Sequence, residues 1–210
     1  MNNQNNKIVI LNLHYRAMTD IQVIGIKFVK PNQFGDFEWM CHQPEYYDSL
    51  FVFNDNEEFH QTNKKGAGNA VMRKYNKYST LNIPKSAGIP TGTMKWGGYE
   101  KLDAQTKTVI DDSIDEIYQL IEKYKYKRLF FSCEPDGKLG TSIFEVNPNV
   151  INYITSRIYD LTTGFVQIVK ILPNDFFEDS FYLENEKEDN DKEDNDDKDD
   201  KDNEAKTRDI

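Results

Sequence analysis

Apolar positions fall into short β-branched runs in the first half of the chain, and into helical stripes alternating with such runs in the second. Residues 7–13 (Lys-Ile-Val-Ile-Leu-Asn-Leu) read as a strand, and residues 21–29 repeat that character with Ile21, Val23, Ile24, Ile26, Phe28 and Val29. A third, shorter extended piece is expected over residues 37–41. The compact run Ser-Leu-Phe-Val-Phe at 49–53 suits a strand covered on both faces, and the reading stops it at Asn54, Asp55 and Asn56. A polar stretch, 57–65, leads to Gly66-Ala67-Gly68-Asn69, read as a tight turn opening a short helix. Residues 75–101 hold Pro84, Pro90, Gly88, Gly92, Gly97 and Gly98 and read as a long irregular region anchored by Ile83, Ile89, Met94, Trp96 and Tyr99.

From Asp103, a plausible N-cap, the spacing turns helical. Val109, Ile110, Ile114, Ile117, Leu120, Ile121 and Tyr124 recur every three or four residues. Residues 128–132 (Arg-Leu-Phe-Phe-Ser) form the next expected strand, running into the loop 133–142. A second helix is predicted to start at Asn147 with Pro148 in its first turn, to carry Val150, Ile151, Ile154, Ile158 and Leu161 inward, and to end at Gly164. A last strand is expected over 165–171. Strand and helix in alternation predict an α/β fold: a mixed, largely parallel sheet with helices on its faces, in three layers.

Charge divides the chain. The net charge is −10, but residues 184–210 hold 14 acidic and 6 basic side chains, leaving 22 and 20 elsewhere. The expected organisation is a flexible start at 1–6, one domain over 7–183, and an acidic tail at 184–210 too poor in apolar residues to order. A nearly neutral domain without a basic face makes nucleic acid an unlikely partner. No run of about 18 apolar residues exists, so no membrane partner is expected. The polar N-terminus lacks a secretory signal, and two cysteines, Cys41 and Cys133, are expected as free thiols inside a cell. No Cys/His set has zinc spacing, so neither a metal nor a cofactor is expected.

In open α/β sheets ligands sit beyond the carboxyl ends of the strands. Two loops there are rich in glycine and small polar residues: Asn54, Asn56, Gly66, Gly68 and Asn69 in the first, and residues 136–142 in the second. Glycine lets backbone amides approach an anion, and Asn and Thr side chains add donors and acceptors for sugar hydroxyls. Turn formation alone explains either loop singly; the pair, each following a buried strand, points to a nucleotide-type ligand. Neither a Walker A sequence nor a Gly-x-Gly-x-x-Gly fingerprint is present. His60, between the halves of the first loop, is a candidate general base, and Asp136 and Glu134 are candidates for orienting a water, though a carboxylate before Gly also serves turns. Cys133 is placed as a nucleophile would be, without a recognisable base. Arg73 and Lys74 read either as phosphate contacts or as the solvated face of a short helix.

This order of elements, with Leu139-Gly140-Thr141-Ser142-Ile143-Phe144 after the later strand, resembles a macrodomain. In that family the later loop reads roughly Gly-Thr-Gly-Ile-Phe-Gly and holds the diphosphate of ADP-ribose. The likeness carries onto Gly140, Thr141, Ile143 and Phe144, with Ser142 where the family has its second glycine. The resemblance implies binding of ADP-ribose or a related nucleotide and, should the chain be an enzyme, hydrolysis of an ADP-ribosyl or phosphoester bond. Residues 49–56 together with Gly66-Ala67-Gly68-Asn69-Ala70, Ile89-Pro90-Thr91-Gly92 and Gly97-Gly98-Tyr99 also resemble a set of uncharacterised bacterial, phage and large-virus proteins, which carry no activity with them. The alternative function is a non-enzymatic module contacting a protein partner through residues 75–101 or the acidic tail.

Overall fold

The computed structural model describes residues 20–95, 97–141, 144–163 and 166–169. The strand expected at 7–13, the acidic tail, Trp96, Ser142, Ile143 and the helix stop at Gly164 lie outside the described residues. All described residues belong to one compact unit.

Six strands form one sheet: β1 (Gln22–Ile26), β2 (Ser49–Asn56), β3 (Ser86–Thr93), β4 (Gly97–Gly98), β5 (Arg128–Ser132) and β6 (Val166–Val169), in the order β4-β3-β2-β5-β1-β6. Every pairing is parallel except β3 with β4. The expected mixed, mostly parallel α/β sheet is therefore the fold. Because side chains alternate along a strand, its two faces carry two cores. Val23, Leu50, Val52, Leu129 and Phe131 meet the helices α2 (Ala104–Tyr124) and α3 (Pro148–Tyr159). Ile24, Ile26, Phe51, Phe53 and Phe130 meet the one-turn helix α1 (Phe37–Met40) and the 3-10 helix Gly68–Tyr75 through Phe37, Met40 and Met72.

Both long helices follow their sequence signals. Asp103 accepts from the Thr106 amide at 2.9 Å, and Thr106, Ile110, Ser113, Ile114, Ile117, Leu120 and Ile121 are buried. Asn147 caps α3 with Pro148 in its first turn. That helix stops at Tyr159, earlier than Gly164 implied, where the Asp160 amide closes on Ser156 at 2.9 Å.

Three expectations need correction. Residues 37–40 are a helical turn, because the Asp36 carboxylate accepts from the Glu38 and Trp39 amides while Phe37 and Met40, three apart, bury together. β2 does not stop at Phe53 but runs on, fully buried, through Asn54, Asp55 and Asn56. The region 75–101 contains a strand, β3, instead of being irregular throughout. Pro90 is tolerated there because the register slips between Asp55 and Asn56, which face Pro90 and Gly92, so the missing N–H falls at a bulge. Gly92 is required by close approach: a Cβ would lie 2.1 Å from the Gly97 carbonyl oxygen.

Polar residues can end β2 because each finds a partner. Asp55, 1% exposed, is gripped by Arg73, 4% exposed, whose Nε lies 2.7 and 2.8 Å from the two carboxylate oxygens and whose terminal nitrogen bonds the first as well. Arg73 is thus neither solvated nor free for phosphate; it ties the 3-10 helix to the sheet. Removing one partner strands a buried charge, so Arg73→Met should lower unfolding free energy by about 3–5 kcal/mol. Arg157→Met, which breaks the half-exposed Asp111 pair between α2 and α3, should cost about 1 kcal/mol or less; denaturant titration of both variants tests the difference.

Candidate functional site

The connections leaving β1 and β2 carry the chain toward β3 across the face that holds α1 and the 3-10 helix. Those leaving β4 and β5 carry it back toward β6 through α2 and α3 on the other face. Travel in opposite directions on opposite faces is what a single crossover handedness demands. The neighbours β2 and β5 therefore send their loops to opposite faces, and it is at such a point, between the carboxyl ends, that open α/β sheets form their binding crevice.

There the structure joins the two predicted loops. The Asn54 carboxamide, 4% exposed, donates to the Thr141 carbonyl at 3.0 Å. The Asn69 carboxamide donates to Asn54 Oδ1 at 2.5 Å and lies 3.4 Å from Ser132 Oγ. The Gly140 amide returns to the Ser132 carbonyl at 2.9 Å. Thr141 shapes the next turn, its carbonyl accepting from the Phe144 amide at 3.1 Å and its hydroxyl donating to the Phe144 carbonyl at 2.9 Å, while Phe144 packs on the core. Asn54, Asn69, Gly140, Thr141 and Phe144 thus come together. Ser142 and Ile143 fall outside the described residues.

Gly66 and Gly68 set the approach to the 3-10 helix. A Cβ on Gly66 would stand 2.7 Å from the Ala70 carbonyl oxygen, and Gly68 has φ +57°. The residue before that helix, Ala67, supplies no side-chain cap, so the first amides are not taken by one. Asn56 is turned to its own loop, its side chain accepting from the Phe59 amide at 3.1 Å.

His60 and Asp136 are not joined to this cluster, or to each other, by any hydrogen bond among the described residues. His60 Nδ1 lies 2.8 Å from the Glu57 carbonyl, which can only accept, so Nδ1 carries the proton of that bond. Asp136 is exposed in the turn 134–138, where Oδ1 accepts from the Lys138 amide at 3.1 Å. His42 pairs with the Tyr75 hydroxyl at 2.8 Å. Tyr99 is half-buried and donates to Glu57 at 2.7 Å; burial, then that carboxylate, pushes its phenol well above the ordinary range.

Two of the residues around the crevice, Ser132 and Lys27, escaped the sequence reading. Ser132 is polar and closes an apolar run at a strand's carboxyl end, which was its signal; Lys27 sits inside the apolar run 21–29 and becomes a strand-end residue only because β1 stops at Ile26. Two cavities lie elsewhere. One, of about 570 Å³, is flanked by Lys101, Asn149, Asn152 and Ser156; the other, of about 350 Å³, by Pro31, Asp36, Trp39 and His42. The four residues named for the first are all exposed, and none of the loop contacts reaches either cavity. Convergent polar groups weigh more than open volume, and here a buried Asn54 and the half-buried Asn69, Ser132 and Thr141 converge.

Cys133 is buried and Cys41 half-buried, both as free thiols. Burial, then Glu134 and Asp136, push the Cys133 thiol up to about 11; burial chiefly does the same for Cys41, also to about 11. No side-chain base among the described residues hydrogen-bonds to Cys133, so it lacks the activation a nucleophile needs. The sign of the linkage follows. A thiol raised in the fold gives up its proton more easily when unfolded, so stability is intact below about pH 9 and falls as pH rises toward 11. Denaturation between pH 8 and about 11 should show a decline that flattens in a Cys41→Ala, Cys133→Ala double variant.

No helix among the described residues is long and apolar enough to cross a membrane. Comparison with protein-family models, with curated proteins and with solved structures found no match, so the function is argued from the site's own chemistry.

Proposed function

We propose that the chain binds a phosphate-bearing nucleotide of the ADP-ribose class at the carboxyl ends of β2 and β5. The observation that carries this reading is the meeting of Asn54 and Asn69 with the Gly140–Thr141 loop where the connections part to opposite faces. Carboxamides offer both donor and acceptor to ribose hydroxyls. The uncapped start of the 3-10 helix leaves its first backbone amides to face a diphosphate. An intracellular setting suits both such a ligand and the two free thiols.

A thermal-shift screen of the full chain against ADP-ribose, NAD, AMP and ATP tests the proposal. A ligand at about 100 times its Kd should add roughly 2.7 kcal/mol of stability and raise Tm selectively for ADP-ribose. No shift with any of the four refutes the reading. In Gly140→Leu the first carbon finds ordinary van der Waals space, 3.4 Å from Ser132 Oγ, and the rest of the side chain adds bulk where the two loops meet. That variant should melt as the parent does without nucleotide and lose the ADP-ribose shift.

A further inference from the structure

The wall of the crevice at Gly140 carries a charge of the wrong sign for a phosphate. A Cβ built on Gly140 would stand 3.5 Å from Glu134 Oε1, so a carboxylate lies directly beside this glycine. That carboxylate is not idle. Its other oxygen, Oε2, lies 2.8 Å from Lys27 Nζ, and both side chains are about half exposed. The pairing is set by the sheet. β1 and β5 are parallel neighbours, and the Cys133 amide continues their ladder by donating to the Ile26 carbonyl at 3.0 Å. Lys27 and Glu134, the next residue on each strand, are thereby delivered to the same carboxyl edge, beside Gly140. The Glu134 backbone is pinned by its amide to the Lys138 carbonyl at 2.8 Å, which leaves its side chain as the movable part.

We infer that Glu134 is a placeholder anion and Lys27 the cation that reads the ligand's phosphate: an incoming phosphate takes Glu134's place on Lys27, and the carboxylate swings to solvent. This rests on the nucleotide reading of the crevice. A half-exposed pair is weak enough to be exchanged, and a phosphate offers Lys27 more charge and more acceptors than a carboxylate does. The exchange also explains selectivity, because a ligand without phosphate would neither displace Glu134 nor gain Lys27.

The two partners have opposite effects under this scheme and the same effect if the pair merely staples β1 to the loop. Calorimetric titration of ADP-ribose into the full chain, Lys27→Gln and Glu134→Gln separates these cases. Lys27→Gln should weaken binding by about tenfold, the loss of one charge-assisted contact. Glu134→Gln should tighten it by about two- to fivefold, the worth of an exposed competitor. Added salt should weaken ADP-ribose binding to the parent more than to Lys27→Gln. Changes of the same sign in both variants, or none in either, overturn the exchange while leaving the nucleotide reading intact. Failure of the parent to bind ADP-ribose overturns that reading and the exchange with it.

Discussion

A carboxylate buried as deeply as that of Asp55 must be neutralised by protein groups, and the carboxyl end of the central strand is organised around this demand. Arg73 answers it with a two-pronged grip, and in doing so holds the 3-10 helix Gly68–Tyr75 against the sheet. One turn earlier in that helix, Asn69 is brought over Asn54, the residue next to Asp55. Across the pair, Gly88 has no side chain because a Cβ would meet Asp55 Oδ2 at 2.8 Å. Such an ion pair adds little net stability over an apolar replacement; what it supplies here is position.

Position matters because the fold creates one place where the two faces part. β2 hands the chain to the 3-10 helix on one side and β5 hands it to α3 on the other, leaving their carboxyl ends as the walls of a crevice. The Asn54, Asn69 and Thr141 bonds draw the walls together, and Lys27 with Glu134 adds a charged rim from the neighbouring strand. Polar groups this well partnered are costly to disturb individually. A ligand enters only by replacing bonds with equivalent ones, which favours a molecule as rich in donors and acceptors as a ribose diphosphate.

Much of this was legible beforehand where one local signal dominated. The stripe Ile110, Ile114, Ile117, Ile121 and the cap at Asp103 specify α2 without outside help, and Asn147 with Pro148 marks the start of α3. The apolar runs of β1, β2 and β5 were equally plain. Illegible were the elements whose local signals conflict with their surroundings. A strand carrying Pro90 and two glycines, Gly88 and Gly92, with Gly97 facing it, reads as a loop until its neighbours supply a bulge and a close hairpin. Residues 37–40 read as extended until the Asp36 cap is seen to be engaged.

The sequence by itself determined the α/β class, the two long helices, and the two polar loops that follow buried strands. Only the tertiary structure decided which of those loop residues meet, that Arg73 is buried on Asp55, and that Lys27 stands beside Glu134. The reason is physical: periodicity and capping are interactions within a few residues, whereas these partners lie 15 to 107 positions apart, and the sheet order that unites them leaves no local mark.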